Sequence, residues 1–363
     1  MRHLTPILLL GLILGLGACK TEGPDLPDFD RQAMLANYAD NLIQPAYAAL
    51  QGEVADLATA YAAFDQTLDT ARLAALRTAW LEAALAWQAA DVFNFGPAGE
   101  AGLLKSLAQE IGTFPVNRAQ VETFIAAGDL TLNNFNRDTR GLPAIEYLLF
   151  GERQPVAGVT AALQDSVRRA YLGALIGHLQ QRVDAVVQGW QGYRADFVAN
   201  DGTDIGSATS QLYNAFVQRY EAIKNFKVGL PAGLRAGQTQ PEPHLVESPF
   251  AGQSRALAEA HLAAVWRVYA GQGSSGDGSG LRDYLLAVTG GSDLVAATDV
   301  QWAAVQAALA QVPADQDLAD LAAAEDPRLI ALHTELQKHT RFFKSDMSSL
   351  LGIAITFSSG DGD

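Results

Sequence analysis

The sequence predicts an all-α protein, and three observations lead to that prediction. Alanine and leucine are frequent among the 363 residues, and the strict apolar–polar alternation of half-buried strands is almost absent. Apolar side chains recur every three or four residues in several long windows, as they do on one face of a helix. Short segments rich in glycine and proline separate these windows. Together these features favour packed helical bundles over a sheet.

The first 18 residues predict a signal peptide of the lipoprotein type. The apolar run 7–16 follows a weakly basic start and is shorter than the roughly 20 residues that a permanent membrane-spanning helix needs. Small residues precede Cys19, the only cysteine in the chain, as in a bacterial lipobox. We therefore expect Cys19 to be the lipidated first residue of the mature protein. An ordinary secretory signal is the alternative.

Residues 19–29 are mostly polar and contain two prolines, which predicts a flexible tether. Because lipidation consumes the one thiol, we expect neither a disulfide nor a thiol nucleophile. The remaining chain is long enough for two domains. A turn-rich segment at 199–206 favours a boundary there. We predict an N-terminal helical bundle at 30–200 and a C-terminal helical bundle at 201–363.

Helical periodicity is strongest in two windows. Leu73, Leu76, Trp80 and Trp87 fall on one face of the first, so Trp80 is expected in the core. The second carries a stripe of Val167, Tyr171, Leu175, Leu179, Val183, Val186 and Trp190. The predicted helices are 29–50, 54–66, 70–93, 118–127, 143–150, 159–198, 207–226, 253–271, 281–288, 293–311 and 327–351. The segment 228–253 is rich in proline and glycine and predicts a long irregular loop, which is usually functional or a linker.

The composition and the missing motifs exclude several classes of protein. A net charge of −15 argues against nucleic-acid binding and against adsorption to anionic lipid beyond the anchor itself. No Gly-x-Ser-x-Gly, His-Glu-x-x-His or Walker pattern occurs, so a serine hydrolase, a zincin-type peptidase and a P-loop NTPase are not expected. An acidic surface is compatible with cationic or metal ligands, and equally with simple solubility.

Residues 139–151 form the most informative segment of the chain. Pro143 fits the first turn of a helix, where its missing N–H costs nothing. Glu146 lies one turn from Leu142 and Phe150, so its carboxylate is expected at the edge of buried surface. A carboxylate there needs a cation, a metal or N–H donors. A ligand-facing glutamate and a structurally paired one are both open.

The histidines give weaker signals. His244 and Glu247 have His-x-x-Glu spacing, but they lie in a proline-flanked loop without helical geometry. His333 and His339 are six residues apart on one predicted helix and do not share a face, so both are expected at the surface. His178 lies on a long apolar helix and is expected to be a bundle histidine with its hydrogen bonds satisfied.

Five segments, taken in chain order, resemble the imelysin-like family, and the resemblance as a whole extends over roughly residues 29–363. The segment 140–150 resembles the family's Gly-x-His-x-x-Glu signature. Gly141 and Glu146 match the glycine and the glutamate of the signature, but Pro143 occupies the histidine position. The other segments that resemble the family are 79–97 with Trp80 and Trp87, 220–231, 247–254, and 351–357 followed by Asp361 and Asp363.

The resemblance implies two related helical bundles packed together and facing the periplasm. It implies a site lined by Arg140, Gly141, Glu146, Lys224, Glu247 and Ser248. Glu146 is the one candidate metal ligand of the signature, and the implied metal is iron or another divalent or trivalent ion. A His-x-x-Glu pair on a helix would supply half of a metal site, and proline supplies none of it.

The leading functional hypothesis is a lipid-anchored binding protein of the bacterial envelope that takes up iron or another small ligand. The resemblance to proteobacterial lipoproteins favours the outer membrane, because Lys20 follows Cys19 and no aspartate retention signal is present. One alternative is a metallopeptidase of the imelysin type. The other is a non-enzymatic interaction module that binds an envelope protein partner at the cell surface.

Overall fold

The computed structural model describes residues 29–100, 105–132 and 134–357, and within them the protein is built from helices without a strand. The predicted all-α class is therefore confirmed. The predicted signal peptide, the lipidation site Cys19, nearly all of the tether, and Asp361 and Asp363 lie outside the described residues.

The α-helices of the described part are joined by short turns and by several longer irregular segments. They are α1 (Arg31–Asn37), α2 (Gln44–Gln66), α3 (Thr70–Ala90), α4 (Leu107–Ile111), α5 (Arg118–Ala127), α6 (Gly141–Phe150), α7 (Val156–Ala162), α8 (Ser166–Ala199), α9 (Ala208–Ala222), α10 (Ser254–Ala270), α11 (Leu281–Leu286), α12 (Gly291–Gln311), α13 (Leu318–Ala323), α14 (Pro327–Arg341) and α15 (Ser348–Leu351). Segments of π-helix at Tyr38–Ile43, Ile223–Gly229 and Phe342–Met347 extend α1, α9 and α14.

Side-chain caps fix several helix starts. Asp30 accepts the N–H of Ala33 at the start of α1, and Asp69 accepts the N–H of Arg72 at the start of α3. The break predicted between 50 and 54 is wrong, because α2 runs through Gly52. A Cβ at Gly52 would meet nothing within 4 Å, so this glycine costs some helix propensity without breaking the helix.

The helices pack so that the two predicted halves of the chain are in contact. α2 packs on α3 and α8, and α6 lies against both α3 and α8. α10, from the second half of the sequence, packs on α3, while α12 packs on α14. The candidate site residues lie around α3, which contacts both α6 and α10. The division at residue 200 stays a prediction.

Helical periodicity located most of the core correctly. All four members of the predicted α3 stripe are buried, and Trp80 donates a hydrogen bond from Nε1 to the carbonyl of Leu142 at 3.0 Å. On α8 the predicted stripe is buried from Tyr171 to Trp190. Val167, in the first turn of α8, is an exception at 40% exposure.

The segment 228–253 is irregular, as predicted, apart from the end of the π-helical segment and a 3-10 turn at Pro243–Leu245. The short helices α4 and α13 were not predicted, because one or two turns are too short to show a period. Across the described residues, we find no helix with both the length and the apolarity to cross a membrane.

Candidate functional site

The backbone at the start of α6 requires glycine. Gly141 has a φ of +74°, and a Cβ on it would lie 2.3 Å from the carbonyl oxygen of Ile111 at the end of α4. Gly141 thus lets α4 and α6 approach closely in a conformation that other residues avoid. Pro143 lies in the first turn, as predicted, where it needs no hydrogen bond.

Replacing Gly141 by Ala is expected to destabilise the fold, because the new Cβ meets backbone atoms and the residue keeps a left-handed φ. We expect a loss of about 2 kcal/mol or more in the free energy of unfolding, measured by urea denaturation. Gly177→Ala on α8 is the matched control: its Cβ would meet nothing within 4 Å, so we expect a gain of about 0.5–1 kcal/mol. Equal effects at the two glycines would contradict the close approach at Gly141.

Glu146 is buried in the interior and is 1% exposed, because α6 is apolar and covered on nearly all sides. Its Oε1 accepts three hydrogen bonds, from Ser248 Oγ at 2.9 Å, Phe250 N at 2.9 Å and Ala251 N at 2.7 Å. The prediction that this carboxyl group is held inward is confirmed. The hydrogen-bond partners of Oε1 all belong to the loop that carries Ser248, Phe250 and Ala251. Of the two roles that the sequence allowed for Glu146, the structure shows pairing within the protein.

Burial raises the pKa of Glu146 to about 8. The hydrogen bonds from the loop oppose this shift, and the negative charge of Glu247 adds to it. A carboxyl group with this pKa is mainly protonated at neutral pH. Glu146 therefore anchors the loop as a largely neutral group.

The loop that Glu146 anchors turns sharply at Ser248, which has a φ of +60° although it is not glycine. This turn lets the consecutive N–H groups of Phe250 and Ala251 point at one oxygen, an arrangement that commonly holds anions. A strained residue of this kind persists only where its surroundings fix it.

Glu247 takes part in a buried polar network with α3 and the π-helical segment. Its Oε2 lies 2.7 Å from Lys227 Nζ, and its Oε1 accepts a hydrogen bond of 3.1 Å from Gln88 Nε2. Lys227 Nζ also donates to Gln88 Oε1 at 2.5 Å. All three residues are buried, so salt reduces the strength of this ion pair much less than that of a surface pair.

A second ion pair lies beside the first, between the buried Asp91 and the partly buried Arg219. Arg219 Nη1 on α9 is 3.3 Å from Asp91 Oδ1, and His261 Nε2 on α10 is 3.7 Å from Asp91 Oδ2. Burial raises the pKa of Asp91, which Arg219 and Lys227 partly counteract. Burial and the nearby cations Lys227 and Arg219 hold the pKa of His261 well below its usual value, so its ring is neutral.

Both ion pairs line one cleft between the two halves of the chain. The cleft has a volume of about 540 Å³, and its walls carry the aromatic rings of Trp87, Phe114, Phe226 and Phe357. Asp91, Arg219, Lys227, Glu247 and Glu221 supply its charged side chains. We call the four residues Asp91, Arg219, Lys227 and Glu247 the charged floor of the cleft.

The π-helical segment Ile223–Gly229 positions one side of the charged floor. Its wider turn is closed by the hydrogen bond from Leu230 N to Asn225 O at 2.8 Å. It presents Asn225, Phe226 and Lys227 to the cleft. Single π-helical turns inside α-helices occur frequently at functional sites.

The structure brings together some of the predicted site residues and separates others. Glu146, Glu247 and Ser248 border one small cavity behind Trp87, next to the cleft. Arg140 is directed elsewhere, because its Nη2 lies 2.9 Å from Glu110 Oε2 and its Nη1 donates to the carbonyls of Leu132 and Asn134. Lys224 lines a different cavity with His333. A contact of any of the predicted residues with ligand stays a prediction.

The residues around Glu146 do not fit a metal ion. Pro143 offers no ligand atom, and Glu146 Oε1 is already used by three hydrogen bonds. Within 29–100, 105–132 and 134–357, no cluster of three or more His, Cys, Asp or Glu side chains has an arrangement that could hold a metal. His244 is exposed whereas Glu247 is buried, so their sequence spacing does not make a site.

The expectations for two histidines are wrong. His178 was expected to have its hydrogen bonds satisfied, but its Nδ1 is buried without a hydrogen-bond partner among the described residues. His339 was predicted at the surface, but it is fully buried, with Nδ1 2.9 Å from Tyr220 OH and its ring 4.3 Å from that of Phe343. Trp266 and Trp302 also surround it. These neighbours come from other helices and from the π-helical segment after α14, so the period of α14 alone did not reveal them.

Sequence reasoning missed Asp91, Arg219, Lys227 and His261. Two of them had a usable signal. Asp91 lies four residues after Trp87 and so shares its helix face. Lys227 belongs to the segment 220–231, which resembles the imelysin-like family. Arg219 and His261 had no signal beyond being polar residues in apolar helices.

Comparisons with known proteins agree with the resemblance seen in the sequence. A protein-family model described as imelysin, peptidase family M75, matches residues 43–341. Iron-regulated protein A from Synechococcus elongatus is 26% identical over 265 residues, which cover 69% of this chain and 68% of that protein. The predicted resemblance is thereby confirmed.

Two solved structures share the fold. The crystal structure of an imelysin-like protein from Psychrobacter arcticum 273-4 superposes with a TM-score of 0.72 at 24% identity, covering 91% of this chain and 99% of that chain. A putative iron-regulated protein A precursor from Parabacteroides distasonis ATCC 8503 also gives 0.72, at 17% identity, with 88% and 95% covered. At these identities the similarity shows the fold alone.

Proposed function

Because this chain belongs to the imelysin family, we propose that it is a non-catalytic binding protein of the bacterial envelope that holds a small, iron-containing ligand in the cleft. The cleft with its charged floor carries the proposal. About 540 Å³ lies within the usual range of small-molecule sites, and aromatic walls with a few convergent polar groups are typical of them.

The arrangement of the floor favours a chelated ion over a bare one. Each carboxylate of the floor is already paired with a cation, Asp91 with Arg219 and Glu247 with Lys227. A bare metal ion would have to displace Arg219 from Asp91 or the buried Lys227 from Glu247, and breaking such a pair is costly. An organic chelate can pack on the aromatic walls and exchange hydrogen bonds with the paired groups.

Two further observations support the iron and envelope parts of the proposal. The names of the two relatives, iron-regulated protein A and a putative precursor of such a protein, connect similar chains with iron and with export. The predicted lipoprotein signal with Cys19 would place this protein on a membrane, facing the periplasm. Anchoring by lipid and location in the outer membrane are part of the proposal.

Tryptophan fluorescence can test binding in the cleft, because Trp87 lines it. We expect a saturable change when the protein is titrated with ferric citrate. We expect none with citrate alone or with ferrous, zinc or copper ions at the same concentration. The change should be lost in Trp87→Phe, since that substitution removes the reporter from the cleft.

Trp302→Phe is the matched control for the same titration. Trp302 stacks on Trp266 at 4.5 Å between ring centroids and does not line the cleft, so its replacement should leave the ligand-dependent change intact. An unchanged spectrum with every probe, or a response that persists in Trp87→Phe, would refute binding at this place.

The geometry does not support the metallopeptidase alternative. A metal-assisted hydrolase needs a site that fixes a metal and its bound water. The described residues around Glu146 do not fit a metal, and its Oε1 is held by the loop. No observation on the described residues favours the alternative of an envelope interaction module.

A further inference from the structure

Arg140, which the resemblance assigns to a ligand site, lies instead in a group of charged side chains outside the cleft. Its Nη2 is 2.9 Å from Glu110 Oε2, and Arg137 Nε, on the 3-10 turn before α6, is 3.1 Å from Glu110 Oε1. Burial lowers the pKa of Arg140, Glu110 opposes this shift, and the charges of Arg137 and Arg182 add to it. Arg182, on α8, is therefore a close neighbour. We call Arg137, Arg140 and Arg182 the arginine cluster.

The three guanidiniums of the arginine cluster share one buried carboxylate. Glu110 is 1% exposed and pairs with both Arg137 and Arg140. Among the described residues, the side chain of Arg182 has no ion pair or hydrogen bond, and its Nε is buried. Positive charge is thus in excess at this place, in a chain whose net charge is −15. A local reversal of charge in an acidic protein concentrates anions there.

Nitrogen atoms around the arginine cluster are buried without a hydrogen bond. Within the part of the chain that the structure describes, they include Arg140 Nε, Arg182 Nε and His178 Nδ1. Buried polar atoms of proteins nearly always have a partner, which is another protein group, an ordered water or an ion. His178 and Arg182 are four residues apart on α8, so they share a face, and both are half-buried. An ion from solvent can therefore reach this side of the cluster.

His178 adds a neutral donor to the arginine cluster. Burial lowers the pKa of His178 to about 4, and the charges of Arg140 and Arg182 add to this shift while Glu110 opposes it. The ring is therefore neutral near pH 7 and offers one N–H donor and one acceptor. A neutral ring can donate to an anion without adding to the repulsion among the guanidiniums.

We propose that the arginine cluster, together with His178, is a binding site for an oxyanion group, a phosphate or a carboxylate. Arg182 supplies a guanidinium whose planar fork can bind two oxygens of one such group. His178 donates from the same face of α8, and Arg140 contributes its charge from the start of α6. The bound anion relieves the repulsion that Glu110 alone balances only in part. The site is independent of the ligand proposed for the cleft.

Calorimetric titration of the whole protein at pH 7 tests this site with inorganic phosphate and with acetate, which separates the two sources of the group. Sodium chloride at matched ionic strength controls for screening. We expect saturable binding of at least one oxyanion and none of chloride. Arg182→Gln should weaken that binding about tenfold or more, since it removes a charged hydrogen-bond donor.

The melting temperature of Arg182→Gln provides a second readout. The substitution relieves repulsion in the arginine cluster and breaks no ion pair of the described residues. In a buffer without oxyanions, the variant should therefore melt at the same temperature as the wild type or above it. A melting temperature several degrees lower would show that Arg182 is already paired within the protein, and it would overturn the proposal.

Arg267→Gln is the matched charge control, since Arg267 is an exposed cation on α10 outside the arginine cluster. It should change the affinity less than about twofold, whereas His178→Phe should weaken binding because it removes the ring nitrogens. The absence of saturable oxyanion binding would overturn the proposal. Full affinity in Arg182→Gln or His178→Phe, or an equal loss in Arg267→Gln, would also overturn it. None of these results would bear on ferric citrate binding, which is read out at Trp87.

Discussion

Replacing Lys227 by Met should lower the free energy of unfolding by about 3–5 kcal/mol, measured by urea denaturation at pH 7. Methionine keeps the length of the side chain but removes the charge. It leaves the carboxylate of Glu247, and the adjacent Asp91, with less compensation in a buried environment. Removing one partner of a buried ion pair has a cost of this size.

The matched control is Lys338→Met. Lys338 pairs with Glu335 at 2.7 Å, but its side chain is 57% exposed, so we expect a change of only about 0–1 kcal/mol. Similar effects of the two substitutions would mean that the ion pair between Lys227 and Glu247 contributes no more to stability than an exposed surface pair. A smaller loss in the double variant Lys227→Met with Glu247→Leu would show that the unpaired charge causes the destabilisation.

The second large effect concerns pH and Glu146. The pKa of this group is raised by burial to about 8, so the folded state binds a proton that the unfolded state releases near pH 4.5. The stability from this proton is fully present below about pH 4.5 and is lost as the pH rises through about 8. Between about pH 4.5 and pH 8, the contribution of Glu146 to the free energy of unfolding should fall by about 1.4 kcal/mol for each unit of rising pH.

Glu146→Gln isolates this contribution. Glutamine keeps an oxygen for the three donors of the loop but does not titrate, and all other groups are unchanged. Urea denaturation of both proteins between pH 5 and pH 8 should show that the variant gains stability relative to the wild type as the pH rises. Parallel curves would mean that Glu146 has an ordinary pKa.

The sequence predicts the parts of the fold that depend on local periodicity. The apolar stripe on α3 predicts buried positions for Trp80 and Trp87, and the segment 139–151 predicts a helix with Glu146 directed inward; all three residues are buried. Both inferences need only the period of a helix and the cost of exposing apolar surface. They do not require knowledge of which elements are neighbours in space.

The partners of these residues could not be predicted in the same way. Ser248 is 102 positions from Glu146, and no local pattern specifies that pairing. Lys224 and Lys227 lie three apart and would share a face of a regular α-helix. The wider turn of the π-helical segment instead leads Lys224 to the cavity that it lines with His333, and Lys227 to the charged floor. An inserted turn of this kind leaves no signal in the hydrophobic pattern.

The roles of Lys227 and Glu146 are tested most directly by one titration with ferric citrate at pH 6, followed by Trp87 fluorescence. It compares the wild type with Lys227→Gln and Glu146→Gln, each shown to be folded beforehand. We expect Lys227→Gln to bind about tenfold or more weakly, since it loses a charged contact in the cleft. Glu146→Gln should bind like the wild type, because Glu146 anchors the loop and does not face the ligand. Full affinity in Lys227→Gln together with lost affinity in Glu146→Gln would contradict this assignment.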